Sequence, residues 1–289
     1  MRPKLARMLE ITERLSQARV TVVGDAVLDE FVFGEIARVS REAPVLILEH
    51  REARLAPGGG ANAAANLAAL GVKTTIAARI GLDAHGERLT ELLAARGIEV
   101  EMLIPAPGFV TPSKTRILAG SPHTTKQQIV RLDRGTATTP PKPAQRRKLA
   151  SAARSALRGR GAVLLADYGY GGVDAALTEA IVAERGEGLV TLDSRFALPT
   201  YRGVDAATPN LEELETSTGV RLKDEDDAGI AEAGRRLKRQ IGASALLVTR
   251  GRRGMTLLES RRRPVHVPAF GEDEVIDVTG AGEIGRAHV

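Results

Sequence analysis

Between residues 161 and 249, short apolar runs that close on a polar residue alternate with longer amphipathic stretches. AVLLAD, GLVTLD, DAAT and SALLVT read as strands, while helices are expected from Val173, from Asn210 and over Asp224 to Gln240. Strands that alternate with helices in this way predict an α/β fold, a mainly parallel sheet covered on both faces. Nearer the start, residues 1–18 read as an amphipathic helical extension and Arg19 to Gly24 (RVTVVG) as the entering strand. ANAAANLAAL predicts a short helix closed by Gly71, TTIAARIG a strand running to Asp83, and Glu87 to Arg96 a helix closed by Gly97. A Thr/Pro/Lys-rich connector then leads into a helix around Arg146 to Leu157.

Two stretches break the alternation. FVFGEIARVS and APVLILEHREARLA, near residues 31–50, and SKTRILA and KQQIVRLD, within 98–133, have strand character without intervening helices. They predict a small β lid beside the main sheet. Parallel sheets present ligands at the carboxyl ends of their strands, which draws attention to Asp25, Asp167, Asp193, Asn210 and Thr249.

Composition narrows the chemistry. The 289 residues contain no Cys and no Trp, which excludes disulfides, Cys-ligated metals and thiol catalysis. The formal charge of +5 is spread among 36 acidic residues, and aromatics make up only 3%. That suits a small phosphorylated anion, or simply a solvated arginine-rich surface, rather than nucleic acid. No apolar run approaches the roughly 18 residues of a membrane span, and no signal segment opens the chain, so a cytoplasmic location and no membrane partner are expected. The five histidines show no HxH or HExxH spacing.

Several clusters can carry chemistry. Asp277-Val278-Thr279-Gly280-Ala281-Gly282 fits a simple turn and also a helix start that aims backbone N–H groups at an anion; no Lys-Ser/Thr pair follows, so it is not a P-loop. Three glycines precede Asn62 and Asn66, which lie one helical turn apart and offer amides to sugar hydroxyls. Asp25 and Asp29 flank a turn and suit either sugar hydroxyls or capping. Asn210 and Glu213 fit a capping box and also a water-mediated magnesium shell. Lys114 and Arg116 fall on one face of a strand, facing a phosphate or solvent.

Together, GDAVLDEFVFG, VSREAPV, PGGGANAAANLAALG, IGLDAHG, SKTRIL, QQIVRLD, TPNLEE, LLVTRGRRGMTLL and DVTGAG resemble the ribokinase-like, or PfkB-type, carbohydrate kinases. The resemblance runs over residues 19–282 and is greatest to the kinase domains that phosphorylate D-glycero-β-D-manno-heptose 7-phosphate at O1. It implies a doubly wound ribokinase-like fold with a β lid, ATP and Mg²⁺, and a homodimer through the lid. By similarity Asp25, Asp29, Gly59, Asn62 and Asn66 would line the sugar site, with Lys114 and Arg116 near its phosphate. Asn210 and Glu213 would organise Mg²⁺ through water, Thr249, Gly251 and Thr279 would adjoin the nucleotide, and Gly280, Ala281 and Gly282 would form the anion hole.

Two departures stand out. Heptose kinases commonly carry Asp-Pro-Lys where this chain has Asp193-Ser194-Arg195, and an aspartate base where it has Glu283. Residues 283–289, EIGRAHV, back-translate to the start of a common sequencing-adapter oligonucleotide and are expected to be a non-native tail. The expectation is a sugar kinase truncated at its C-terminal end and weakly active or inactive as written. Another sugar or sugar-phosphate acceptor, or a catalytically idle sugar-binding homologue, remains open.

Overall fold

The computed structural model describes residues 3–120, 126–135, 139–159 and 161–269. Helix α1 (Pro3–Arg14) precedes strand β1 (Arg19–Gly24), which passes through Asp25 into β2 (Ala26–Val39). β3 (Leu46–Gly59) returns and runs straight into α2 (Gly60–Ala69), followed by β4 (Lys73–Ile80), α3 (Ala84–Ala94) and β5 (Leu103–Pro105). β6 (Ser113–Gly120) and β7 (Gln127–Arg134) come next. Then follow α4 (Pro143–Arg158), β8 (Ala162–Asp167), α5 (Ala175–Ala183), β9 (Leu189–Ser194), β10 (Ala206–Ala207) and α6 (Leu211–Thr218). The described elements close with α7 (Asp227–Ile241), β11 (Ala245–Thr249), β12 (Met255–Glu259) and β13 (Val265–Val267).

Among the described residues nine strands form the main sheet, in the order β13-β12-β11-β10-β9-β8-β1-β4-β5. From β11 to β5 every neighbouring pair is parallel, so these strands end on one edge; β12 turns back antiparallel. Both faces are buried because apolar side chains predominate on both sides of the central strands. Val22 enters one core cluster with Ile76, Leu89, Leu93 and the alanines of α2, and Val23 enters the other with Leu149, Leu165, Leu177, Leu192 and Leu237. Each such leucine contributes about 1.5–3 kcal/mol on burial. Ala61 and Ala64 are fully buried and let α2 lie close against the sheet.

The second sheet has the order β3-β2-β6-β7 among the described residues. β2 and β3 pair antiparallel, β2 and β6 parallel, β6 and β7 antiparallel. Its strands extend directly from β1 and into α2, so the lid is anchored at the carboxyl edge of the main sheet.

Three features differ from the sequence reading. β5, inside the 98–133 stretch, pairs with β4 at the edge of the main sheet, and only Ser113–Gly120 and Gln127–Arg134 of that stretch join the lid. α3 begins at Ala84, because the Asp83 side chain caps the helix by accepting the Gly86 N–H. The β12–β13 hairpin edge was not anticipated, since its strands are short and separated by the arginine-rich segment 261–263.

Candidate active site

The lid face turned to the main sheet is built by strand register. Asp29 of β2 lies beside Lys114 of β6, which lies beside Asp133 of β7; the next row holds Phe31, Arg116 and Arg131. Alternate residues of a strand share a face, so both rows point the same way. Arg116 Nη1 donates to Asp29 Oδ1 at 2.7 Å and its guanidinium stacks over the Phe31 ring at 5.2 Å. Arg131 pairs with Asp133 at 2.9 Å. Burial pushes the Lys114 ammonium below the usual lysine range; Arg195 and Arg116 push it the same way, against Asp29 and Asp133.

Opposite this face lie the ends of β8 and β9. Asp167 Oδ2 accepts from the hydroxyls of Ser194 and Tyr201, each at 2.7 Å, and Oδ1 accepts from the Gly169 N–H at 3.0 Å. Burial, then the charge and hydrogen bond of Asp167, raise the Tyr201 phenol well above the usual tyrosine range. The Tyr168 hydroxyl donates to Asp193 Oδ2 at 3.0 Å. Arg195 follows β9, exposed, with its guanidinium over Phe196.

Two cavities occupy the gap, of about 680 Å³ on the β8–β9 side and about 280 Å³ on the lid side. Lys114, Arg131, Tyr168 and Arg195 line both, so they form the wall of one continuous cleft. All three tyrosines of the chain, Tyr168, Tyr170 and Tyr201, line the larger cavity. The smaller is closed by Asp29, Gly59, Asn62 and Arg116.

The expected sugar-site residues therefore divide. Asp29, Gly59, Asn62, Lys114 and Arg116 come together at the lid cavity. Asn66 lies one turn further along α2, and its Nδ2 is buried with no hydrogen-bond partner among the described residues. Asp25, expected beside the sugar, lies beneath the cleft at 4% exposure, and its carboxylate accepts from the backbone N–H groups of Tyr168, Tyr170 and Gly172. Arg131 and Tyr168 were missed by the sequence reading. Arg131 had a signal, since it alternates with Asp133 in KQQIVRLD as Lys114 does with Arg116.

A separate group sits at the ends of β10 and β11. Asn210 caps α6: its Oδ1 accepts from the Glu213 N–H and Glu213 Oε2 accepts from the Asn210 N–H, each at 2.8 Å. Asn210 also bridges to Thr249, whose N–H donates to Pro209 O at 2.9 Å. Gly251 follows with φ +52° at an open position. Below it the buried Arg250 guanidinium donates to Asp227 Oδ1 at 2.6 Å and Thr256 Oγ1 at 3.1 Å, fixing the turn. None of these four lines either cavity of the cleft. Thr279, Gly280, Ala281, Gly282 and Glu283 lie outside the described residues. Among the described residues no cluster of three or more His, Asp or Glu side chains could hold a metal, and no helix is long and apolar enough to cross a membrane.

A doubly wound sheet, a lid rooted at its carboxyl edge and a cation-walled cleft between them define the ribokinase-like fold. The family model described as pfkB family carbohydrate kinase matches residues 17–283, and the chain belongs to that family. It is 38% identical over 274 residues to the bifunctional protein HldE of Azorhizobium caulinodans, covering 93% of this chain and 55% of that protein. To HldE of Klebsiella pneumoniae it is 36% identical over 270 residues, covering 92% and 54%. The chain thus spans about half the length of the curated relatives it matches. The fold is shared with Arabidopsis thaliana ribokinase complexed with ribose and ATP (TM-score 0.69, 21% identity, 93% of this chain and 84% of that one). It is also shared with Escherichia coli phosphofructokinase-2 in complex with fructose-6-phosphate (TM-score 0.70, 20% identity, 93% and 84%).

Proposed function

We propose that the chain transfers the γ-phosphoryl group of Mg·ATP to O1 of D-glycero-β-D-manno-heptose 7-phosphate. The observation that carries this reading is the crowding of Lys114, Arg131 and Arg195 around one cleft whose floor holds Asp29 and Asn62. Cations gathered around one opening favour a dianionic group between them, and Lys114, its ammonium depressed mainly by burial and further by Arg195 and Arg116, would regain charge-stabilising partners from such a group. A carboxylate and an amide beside them suit the hydroxyls of the sugar that carries it. The likeness to HldE over nearly all of this chain supports the heptose, and the ATP complex of Arabidopsis ribokinase supports the donor.

In this reading Asp29, held by Arg116, and Asn62 orient the sugar ring, while Lys114, Arg131 and Arg195 hold the 7-phosphate. Thr249 and Gly251 adjoin the nucleotide. Asn210 and Glu213 each commit an oxygen to the capping box, which fits them to Mg²⁺ as partners of its waters rather than as direct ligands. Held in this way through its waters by Asn210 and Glu213, Mg²⁺ would supply positive charge to offset that of the nucleotide's phosphates. The carboxylate at 283 takes the proton from the attacking hydroxyl, and the N–H groups of Gly280, Ala281 and Gly282 receive the charge that develops on the transferred group.

The same cations would accept other sugar phosphates, so the test is a panel. ADP release from Mg·ATP is followed with heptose 7-phosphate, unphosphorylated heptose, fructose 6-phosphate and ribose. Selective turnover of heptose 7-phosphate, with product phosphorylated at O1, supports the proposal. Preference for another sugar phosphate reassigns the acceptor, and preference for an unphosphorylated sugar removes the role given to Lys114, Arg131 and Arg195. Saturable binding without ADP release in the Glu283→Asp chain as well as this one would point to a sugar-binding homologue.

A further inference from the structure

The carboxylate of Asp25 is buried beside the cleft, and among the described residues every donor on it comes from one loop. Oδ2 accepts from the N–H of Tyr168 at 2.8 Å and of Tyr170 at 3.0 Å, and Oδ1 from the N–H of Gly172 at 2.7 Å. Alternate N–H groups can converge on one carboxylate because Gly169 and Gly171, between them, take φ of +85° and +80°. Gly172 completes the fit, since a Cβ there would lie 2.5 Å from Asp25 Oδ1 and 2.6 and 2.7 Å from the carbonyl carbon and oxygen of Gly24, prising the loop from Asp25 and from the strand end that carries it. The space beside the carboxylate admits no water.

The backbone of Asp25 ties in two more elements: its N–H donates to Ala166 O and its carbonyl accepts from the Gly60 N–H, each at 2.9 Å. On the far side, Arg79 of β4 donates to Tyr170 O at 3.0 Å and stacks over Phe109 at 4.5 Å. Asp167, at the end of β8, is the like charge nearest in effect. A sugar ligand needs acceptor oxygens open to the cavity, and these are turned away from it into a shell of amides.

We propose that Asp25 is a positioning residue rather than a sugar ligand, clamping the 168–172 loop and so setting Tyr168 in the wall of the acceptor cleft. Tyr168 transmits the effect, because its backbone is held by Asp25 while its hydroxyl reaches Asp193 and its side chain borders both cavities. Asp29, four residues on, has the complementary role, with its carboxylate at the open lid cavity. The effect on the acceptor rests on the sugar-phosphate reading above; the clamp itself does not.

The experiment compares wild type with Asp25→Asn, Gly172→Ala and Asp29→Asn, measuring amide hydrogen exchange by NMR and KM for heptose 7-phosphate and for ATP separately. The side-chain amide introduced by Asp25→Asn would turn an N–H₂ toward the loop donors. In Asp25→Asn the amides of Tyr168, Tyr170 and Gly172 are expected to exchange at least about tenfold faster, with the Gly86 amide, held by Asp83, unchanged. Acceptor KM rises about tenfold or more while ATP KM stays within about twofold. Gly172→Ala, which alters no carboxylate, reproduces both effects, and the double variant is little worse than either alone because both open the same clamp. Asp29→Asn impairs the acceptor without changing exchange of the loop. Unchanged loop exchange in Asp25→Asn, or an impaired acceptor in Asp25→Asn beside a wild-type one in Gly172→Ala, overturns the proposal. Should Asp25→Asn fail to fold, Gly172→Ala decides alone. If wild type does not turn over heptose 7-phosphate, the acceptor reading fails, exchange still judges the clamp, and KM is read on whichever acceptor the panel identifies.

Discussion

Arg116 of β6 reaches diagonally across to Asp29 of β2 and donates to its Oδ1 at 2.7 Å, with both side chains only about an eighth exposed at the edge of the lid cavity. The guanidinium both neutralises the carboxylate and fixes its rotation. Hydrogen bonds to charged groups contribute about 1.5–3 kcal/mol, so Arg116→Ala should lower stability by that order, read as a shift in denaturant midpoint. It should also weaken the acceptor, because a free Asp29 turns. Asp29→Ala should lower kcat/KM by about 10- to 100-fold with less effect on ATP affinity.

Lys114 and Arg195 approach the cleft from different sheets, and removing either should matter only when the acceptor carries a phosphate. Lys114→Met and Arg195→Ala are each expected to raise KM for heptose 7-phosphate by about 10- to 100-fold. Binding of the unphosphorylated sugar, measured by calorimetry, should stay within about twofold. An equal loss for both ligands would place these cations elsewhere in the mechanism.

Asp25 should leave a signature in the pH dependence of stability. Burial pushes its carboxyl up from 3.8 to about 6, against the lowering effect of hydrogen bonds from Tyr170, Tyr168 and Gly172. Between those two values the folded chain holds a proton that the unfolded chain releases. The group therefore adds stability as pH falls through 6, fully present below 3.8, and that contribution is lost as pH rises through 6. The full swing is about 3 kcal/mol. Asp83 runs the other way: its burial, which raises the pKa, is outweighed by hydrogen bonds from Thr111 and Gly86 that lower it, so its contribution is lost at acid pH. The difference between wild type and Asp25→Asn isolates the first effect. The destabilisation by the variant should grow between pH 7 and pH 4 in urea titrations, and a constant difference would contradict it.

The capping box of α6 gives a prediction about stability. Asn210→Ala removes the acceptor for the Glu213 N–H and should cost about 1 kcal/mol by denaturant titration. Asn210→Asp keeps the cap and should restore it. A role beside the nucleotide would appear separately, as a raised KM for Mg·ATP in both variants.

Glu283 carries the base in the proposed reaction, one methylene longer than the aspartate of the family. A displacement of about 1 Å can cost about 100-fold, so Glu283→Asp should raise kcat by up to that factor with acceptor KM little changed. Single-turnover rates distinguish this from product release.

The central strands were legible because each is a short apolar run closed by a polar residue, and such runs have few alternatives in a parallel sheet. The lid was legible for the opposite reason: its strands follow one another without room for helices. What escaped was set at a distance. β5 is three residues long and is recruited by β4, which nothing local to Leu103–Pro105 announces. Asp25 and Asp29 look alike as two carboxylates four residues apart, yet one turns inward to amides some 145 positions along the chain and the other outward to a cavity. Tyr168 gave no warning because its importance comes from bridging that loop to Asp193.

The placement of the tyrosines gives the protein a native optical reporter. With no tryptophan in the chain, near-ultraviolet emission and the 280 nm region of the spectrum come from Tyr168, Tyr170 and Tyr201 alone, and all three border the same cavity. A ligand on the lid side of the cleft changes the surroundings of Tyr168, which borders both cavities, and one filling the larger cavity reaches Tyr170 and Tyr201 as well. Acceptor binding can thus be titrated on unlabelled protein, and a tryptophan introduced on the lid would report its movement against a background that belongs wholly to the cleft.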